Sequence, residues 1–167
     1  MQSGKILYTM CENTCIIKMV GKIVYKISPG FDSFLQQIDS IVNIFIVDLI
    51  EAEYLDSTNL GLLAKLLSIS SLRSGSPPIL ISPHKNINEI FKNVGFFKLF
   101  TIVDSWKNTY TDFKELPQGT YTKENLGEIM LQAHEDLSQL NEENKIQFEN
   151  VLTFLNKEVK GNTASTF

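Results

Sequence analysis

The sequence contains few of the residues that would build a disulfide framework or a zinc site. Cys11 and Cys15 are its two cysteines, and His84 and His134 are its two histidines. One C-x3-C pair with no second pair supplies too few ligands for zinc, so both cysteines are interpreted as reduced, small apolar residues. We therefore expect neither a metal site nor a bound cofactor.

Long apolar runs and an excess of basic residues are also missing. No run approaches the roughly 18 residues of a membrane span, and residues 1–5 lack the apolar region of a signal peptide. The 15 Lys and Arg residues against 19 Asp and Glu residues give a net charge of -4, which argues against a nucleic-acid-binding protein. We expect a cytoplasmic protein that binds neither nucleic acid nor a membrane.

The common signatures of enzyme sites are absent as well. No two glycines have the G-x-G spacing of a phosphate-binding loop. No motif links either histidine to Ser57 as a catalytic base. Asp48 and Asp56 could form an acidic pair, but nothing in the sequence brings them to a substrate. The sequence therefore predicts no catalytic residues and a protein that is not an enzyme.

Strand and helix patterns alternate along the first two thirds of the chain. Residues 5–10 and 14–20 predict a β-hairpin that Gly21 closes. Apolar spacing predicts a helix that begins at Ser28 and Pro29. After a short strand at residues 79–81, Asn86 is expected to cap a further helix. Ser105 is expected to begin another helix, whose apolar face carries Trp106, Tyr110 and Phe113.

The central stretch predicts a strand, a loop and a helix. The strand covers residues 43–50, and Glu51 and Glu53 lie in the expected loop. The helix is indicated by apolar residues spaced i, i+3, i+4 and i+7 from Leu60. Ser57 or Thr58 is expected to cap its first turn, which places a hydroxyl at the positive end of the helix.

The segment Asp56-Ser57-Thr58-Asn59-Leu60-Gly61, after a strand that ends in Asp48-Leu49, resembles the signature of STAS domains, the family of bacterial anti-sigma factor antagonists. Gly21-Lys22 fits the glycine-basic pair that follows the second strand of that family. The family usually has glycine where this chain has Asn59. The resemblance implies an α/β fold with a mixed four- to five-stranded sheet and helices mainly on one face.

The resemblance also implies roles for individual residues. Ser57 corresponds to the serine that a partner kinase phosphorylates. Asp48 and Gly21 are expected to give structural support, with Asp48 holding the loop. Six residues are expected to contact a partner: Asp56, Thr58, Asn59, Gly61, Lys65 and Glu53.

A helical extension follows the part that resembles the family. The predicted organisation is a STAS domain at residues 1–116, a linker at 117–121, helices at 122–160 and a disordered tail at 161–167. Thr122 and Asn141 are expected helix caps, which favours two helices over one long helix. These helices could fold back on an exposed sheet face of the domain or remain free for a partner.

The function that the resemblance implies is antagonism of an anti-sigma factor in a partner-switching circuit. The expected partners are an anti-sigma factor or a serine kinase of the GHKL type, with a metal-dependent serine phosphatase that removes the phosphate. In an alternative, the domain binds a motility or second-messenger regulator through its C-terminal helices, or forms a homodimer through them. In a third alternative, the chain is a small-molecule-binding or enzymatic domain that uses the acidic loop.

Overall fold

One mixed sheet forms the centre of the protein. The computed structural model describes residues 3–164 of the chain. The sheet has six strands, not the expected four to five, because the two-residue strand β6 adds an edge, and they run in the spatial order β5-β4-β3-β2-β1-β6. Their bounds are β1 Lys5–Cys11, β2 Thr14–Ile23, β3 Ile44–Leu55, β4 Ile79–Ile81, β5 Thr101–Val103 and β6 Lys114–Glu115.

The predicted opening hairpin is confirmed, because β1 and β2 pair antiparallel. The strands from β2 to β5 are parallel neighbours, and β6 pairs antiparallel with the outer edge of β1. The hairpin does not end at Gly21, since β2 continues to Ile23. Gly21 has a φ of 75° at an irregularity in the β2–β3 register, a backbone conformation that glycine adopts at no steric cost.

Six α-helices accompany the sheet in the described residues. Their bounds are α1 Ser28–Gln37, α2 Ser57–Ser74, α3 Lys85–Asn93, α4 Lys123–Ser138, α5 Glu142–Gln147 and α6 Glu149–Ala164. None of the helices within residues 3–164 has the length and apolar content needed to cross a bilayer. The helices α1, α2 and α3 contribute apolar side chains to one large core with the sheet, so the expected α/β class with helices mainly on one face is confirmed.

The opposite face of the sheet is covered by an irregular segment rather than by a helix. The predicted helix after Ser105 is wrong, because residues 105–113 have neither helical nor strand structure. The aromatic side chains expected on its face instead pack on Ile16, Ile46 and Ile81. Asp112 has a φ of 61°, a left-handed conformation that does not propagate a helix, and the threonines of the segment also disfavour one.

The central strand is longer than the sequence predicted. β3 continues to Leu55, so Glu51 and Glu53 lie in the strand and not in a loop. Leu49, Ala52 and Leu55 are buried and hold this end of the strand against the core. The chain then passes directly into α2.

The C-terminal extension forms three helical segments that pack on the domain. Thr122 and Asn141 cap α4 and α5 by accepting hydrogen bonds from Asn125 N at 3.1 Å and Asn144 N at 2.8 Å. The extension packs on α2 and not on an open sheet face. The predicted tail from residue 161 onward is helical as far as Ala164, and residues 165–167 lie outside the described residues.

Candidate functional site

Asp56 caps the first turn of α2. Its Oδ1 accepts hydrogen bonds from the backbone N of Asn59 at 3.0 Å and from Asn59 Nδ2 at 2.9 Å. The prediction that Ser57 or Thr58 caps this helix is therefore wrong. Because the carboxylate of Asp56 performs the capping, the Ser57 hydroxyl at the first helical position makes no capping bond.

The Ser57 hydroxyl is paired with a histidine from the C-terminal extension. Ser57 Oγ lies 2.8 Å from His134 Nε2, and His134 Nδ1 lies 2.6 Å from the carbonyl oxygen of Met130. A carbonyl can only accept, so a neutral imidazole carries its proton on Nδ1 and accepts the Ser57 proton at Nε2. The ring of His134 is 3% exposed and its edge meets Phe148 with centroids 6.0 Å apart.

This pairing corrects the expectation that no histidine is linked to Ser57. The two residues are 77 positions apart in the sequence and come together only because α4 lies on α2. The geometry holds the hydroxyl in one direction at the helix N-terminus, where backbone N–H groups favour negative charge. It is an anchored hydroxyl, partly exposed to solvent.

The crossing of α2 and α4 is made through backbone contact at Gly61. A Cβ atom at Gly61 would lie 2.1 Å from the carbonyl oxygen of Ala133, so a glycine is required for this approach. Thr58 and Asn59 are also buried, at 2% and 0% exposure. In this conformation these three predicted partner-contacting residues are covered by the protein itself.

Lys65 and Asp136 lie in a cleft of about 270 Å³ between α1, α2 and α4. Lys65 Nζ pairs with Asp32 Oδ1 at 2.6 Å. Burial raises the pKa of Asp136 above its ordinary value; the hydrogen bond from Gln132 and the charge of Lys65 oppose this increase, and the charge of Asp32 adds to it. The cleft therefore holds a carboxylate at some cost to the folded state.

Replacing Asp136 with asparagine is expected to stabilise the protein at neutral pH. The folded-state pKa of Asp136 is raised, so the folded protein favours the protonated carboxyl. The stability that this protonated form contributes is complete below the unfolded pKa of about 3.9. It is lost as pH rises through the folded-state pKa. Urea unfolding should show a higher midpoint for Asp136→Asn at pH 7, with the difference shrinking toward pH 4. Glu128→Gln, an exposed residue on the same helix, is the control. An equal gain in both variants would contradict the prediction.

The remaining predicted residues, Asp48 and Glu53, lie on β3 and do not form one cluster with Ser57. Asp48 Oδ1 accepts from the backbone N of Ile50 at 2.9 Å, and this bond lies within β3, because the loop that Asp48 was expected to hold is part of the strand. Glu53 is exposed on β3, and its carbonyl oxygen accepts from Asn86 Nδ2 at 3.2 Å. Asn86 therefore supports β3 through this hydrogen bond. The prediction that Asn86 caps α3 is wrong, because His84 occupies the cap position.

Metal-binding groups are not assembled in the described part of the chain. Within residues 3–164, no group of three or more His, Cys, Asp or Glu side chains is arranged to hold a metal ion. Cys11 is exposed and Cys15 is buried, and both are free thiols. Burial raises the pKa of Cys15 to about 12, so this thiol is poorly reactive while the core is intact.

The comparisons with known proteins identify the family. The STAS domain family model matches residues 6–112, and the chain belongs to this family. Similar solved structures include the anti-sigma factor antagonist SpoIIAA in its unphosphorylated form, with 19% identity, 61% of this chain and 89% of that chain covered, and a TM-score of 0.46. An anti-sigma factor antagonist from Mycobacterium paratuberculosis has 16% identity, coverage of 62% and 87%, and a TM-score of 0.48.

A third similar structure is the Bacillus cell fate determinant SpoIIAA in its phosphorylated form. It has 17% identity, covers 59% of this chain and 90% of its own, and has a TM-score of 0.44. No curated protein matches the sequence. The family match ends at residue 112, so the helices that supply His134 and Ala133 lie beyond it.

Proposed function

We propose that this protein is a cytoplasmic anti-sigma factor antagonist whose binding is controlled by reversible phosphorylation of Ser57. In the unphosphorylated state it binds an anti-sigma factor or a GHKL-type serine kinase. The kinase phosphorylates Ser57, and a metal-dependent serine phosphatase removes the phosphate. The protein is a substrate and a ligand in this circuit, and it catalyses no reaction itself.

The observation that carries the proposal is the position of Ser57 within the family sequence. Ser57 is the first residue of α2 and directly follows the capping residue Asp56, in a chain whose residues 6–112 match the STAS domain. Because Asp56 caps the helix, the serine oxygen makes no capping bond, and its hydrogen bond goes to His134. The unpaired N–H groups of the first helical turn stabilise the product by about 0.3 to 1 kcal/mol.

The effect of the phosphate on binding is expected to be local. It would add a charge of roughly -1.5 to -2 beside the carboxylate of Asp56. A partner that docks on the N-terminal turn of α2 would have to remove water from that charge, which is costly without a matching cation. Phosphorylation therefore blocks binding and leaves the sheet and its core as they are.

Mass spectrometry of the phosphorylated protein tests this proposal. After incubation with a GHKL-type serine kinase encoded beside it and ATP, the full chain is expected to gain about 80 daltons, the mass of one phosphoryl group. Ser57→Ala should gain nothing, whereas Thr58→Ala should be modified like the original protein. Modification of Ser57→Ala, or an unchanged mass of the original protein, would refute the assignment.

A second candidate function is supported by the surface of the C-terminal helices. Ile146 on α5 and Phe154 on α6 are 76% and 62% exposed, so the C-terminal helices present apolar area that a partner could cover. A STAS module that binds a motility or second-messenger regulator, or a second copy of itself, could use this surface. Replacing both residues with serine should then remove a partner from pull-downs or dissociate a dimer, while phosphorylation of Ser57 continues.

A further inference from the structure

The C-terminal extension is built into the domain at several points. Asn144 is fully buried and its Nδ2 donates to Val94 O at 3.0 Å and to Leu137 O at 2.9 Å. Leu137 and Phe148 belong to the main hydrophobic core. A Cβ atom at Gly30 of α1 would lie 2.1 Å from the carbonyl oxygen of Pro117, so the connecting segment is also packed closely. These contacts hold α4 over α2 in the described conformation.

The part of α2 covered by α4 includes the proposed modification site. His134 holds the Ser57 hydroxyl, and the backbone of Ala133 occupies the space above Gly61. One turn further along, Lys65 faces the cleft that Asp136 lines. A kinase or an anti-sigma factor that contacts these residues would have to occupy the space that α4 already fills. The backbone of such a partner and the backbone of α4 cannot both approach Gly61 at this distance.

We propose that α4 to α6 form an intramolecular cover, and that the α2 surface becomes available to a kinase or partner only when α4 moves away. This inference rests on the proposed function and adds a second level of control to the same site. Binding of the cover and binding of the partner exclude each other. Only molecules in which α4 is undocked can bind a partner. The apparent association constant is therefore the intrinsic one multiplied by the undocked fraction.

The docked helix also indicates what the competing partner must present. Opposite Gly61 there is room for a small residue only, as Ala133 shows. At Ser57 the partner must supply a hydrogen-bond acceptor in place of His134 Nε2, or else leave that hydroxyl to water. The partner segment that best fits is thus a helix or loop with a small residue at its centre and an acceptor near the α2 N-terminus.

Gly61→Ala is the variant that separates the cover from the domain. The added Cβ would clash with the Ala133 backbone, but alanine is otherwise favourable inside a helix such as α2. The matched control is Gly127→Ala on α4, where a Cβ would meet Val159 Cγ2 at 3.8 Å, an ordinary contact. The first change should displace α4, and the second should leave it docked.

The readout is the reaction of a thiol at position 57 with Ellman's reagent in the full chain. Cys11→Ser removes the exposed thiol, Ser57→Cys introduces the probe, and buried Cys15 reports loss of the fold. At pH 9, above the ordinary thiol pKa of about 8.5, differences in rate reflect access more than ionisation. Gly61→Ala should raise the rate about tenfold, a factor within reach of typical overpacking penalties, while Gly127→Ala leaves it unchanged.

Equal rates in the Gly61→Ala and Gly127→Ala proteins, with Cys15 protected in both, would overturn the inference. If Gly61→Ala also exposes Cys15, Ala133→Leu is used instead, because it adds bulk on the removable helix; an unchanged rate in that variant would overturn the inference equally. The experiment uses no kinase. The two proposals can therefore fail separately. If Gly61→Ala speeds the thiol reaction but kinases leave the protein unmodified, the proposed function is rejected and the inference that α4 to α6 cover the α2 surface stands.

Discussion

Ser57→Glu is expected to weaken binding of an anti-sigma factor by roughly 100-fold, equivalent to about 3 kcal/mol. The glutamate places a permanent charge at the N-terminal turn of α2, next to Asp56. A partner that covers this turn must strip water from the charge, and the side chain paired with Ser57 in the described residues is the His134 imidazole, not a lysine or an arginine. Titration calorimetry with the purified anti-sigma factor measures the change.

Ser57→Gln separates charge from size in this experiment. Glutamine has nearly the same volume as glutamate and carries no charge, so it should weaken binding far less. Equal losses in the two variants would show that bulk, and not charge, interferes with the partner. A glutamate variant that binds as tightly as the original protein would show that the partner docks elsewhere, and the exposed surface of α5 and α6 would then be the better candidate.

Asn144→Leu is expected to destabilise the folded protein by about 2 to 4 kcal/mol, since it removes the buried donor from two carbonyl groups. Asn144 Nδ2 bonds Val94 O and Leu137 O, and thereby joins the extension to the end of α3. Leucine has the same branching at its γ carbon but cannot donate. Urea unfolding followed by tryptophan fluorescence and circular dichroism measures the loss.

Asn156→Leu is the matched control for this change. The Nδ2 of Asn156 donates to Leu152 O at 2.9 Å, within the same helix, and the side chain is only partly buried. Its replacement should cost less than about 0.5 kcal/mol. If both variants lose the same stability, Asn144 has no special part in holding the extension on the domain.

The parts of the fold that the sequence predicted correctly are those with local signals. The Asp56 to Gly61 block identified the family, and the spacing of Phe31 and Leu35 located α1, whose two side chains are both in the core. The β-branched run before Asp48 located β3. In each case the pattern repeats over a few residues, so the period of the structure is visible in the sequence.

The errors arise where tertiary contacts override a local pattern. Trp106, Tyr110 and Phe113 have helical spacing, yet they pack on the second sheet face from an irregular segment. The pairing of Ser57 with His134 could not be predicted, because it spans 77 positions and depends on how α4 crosses α2. Gly61 was expected to contact a partner, and the structure shows instead that its lack of a side chain admits the backbone of Ala133.

The sheet ends in very short strands on both sides. β5 has three residues and β6 has two, whereas β2 and β3 in the middle have ten and twelve. Short outer strands offer few free N–H and C=O groups for another chain to extend. Strand addition between molecules is therefore disfavoured, so aggregation during expression or storage is expected to begin from exposed helical side chains such as Phe154 and not from the sheet.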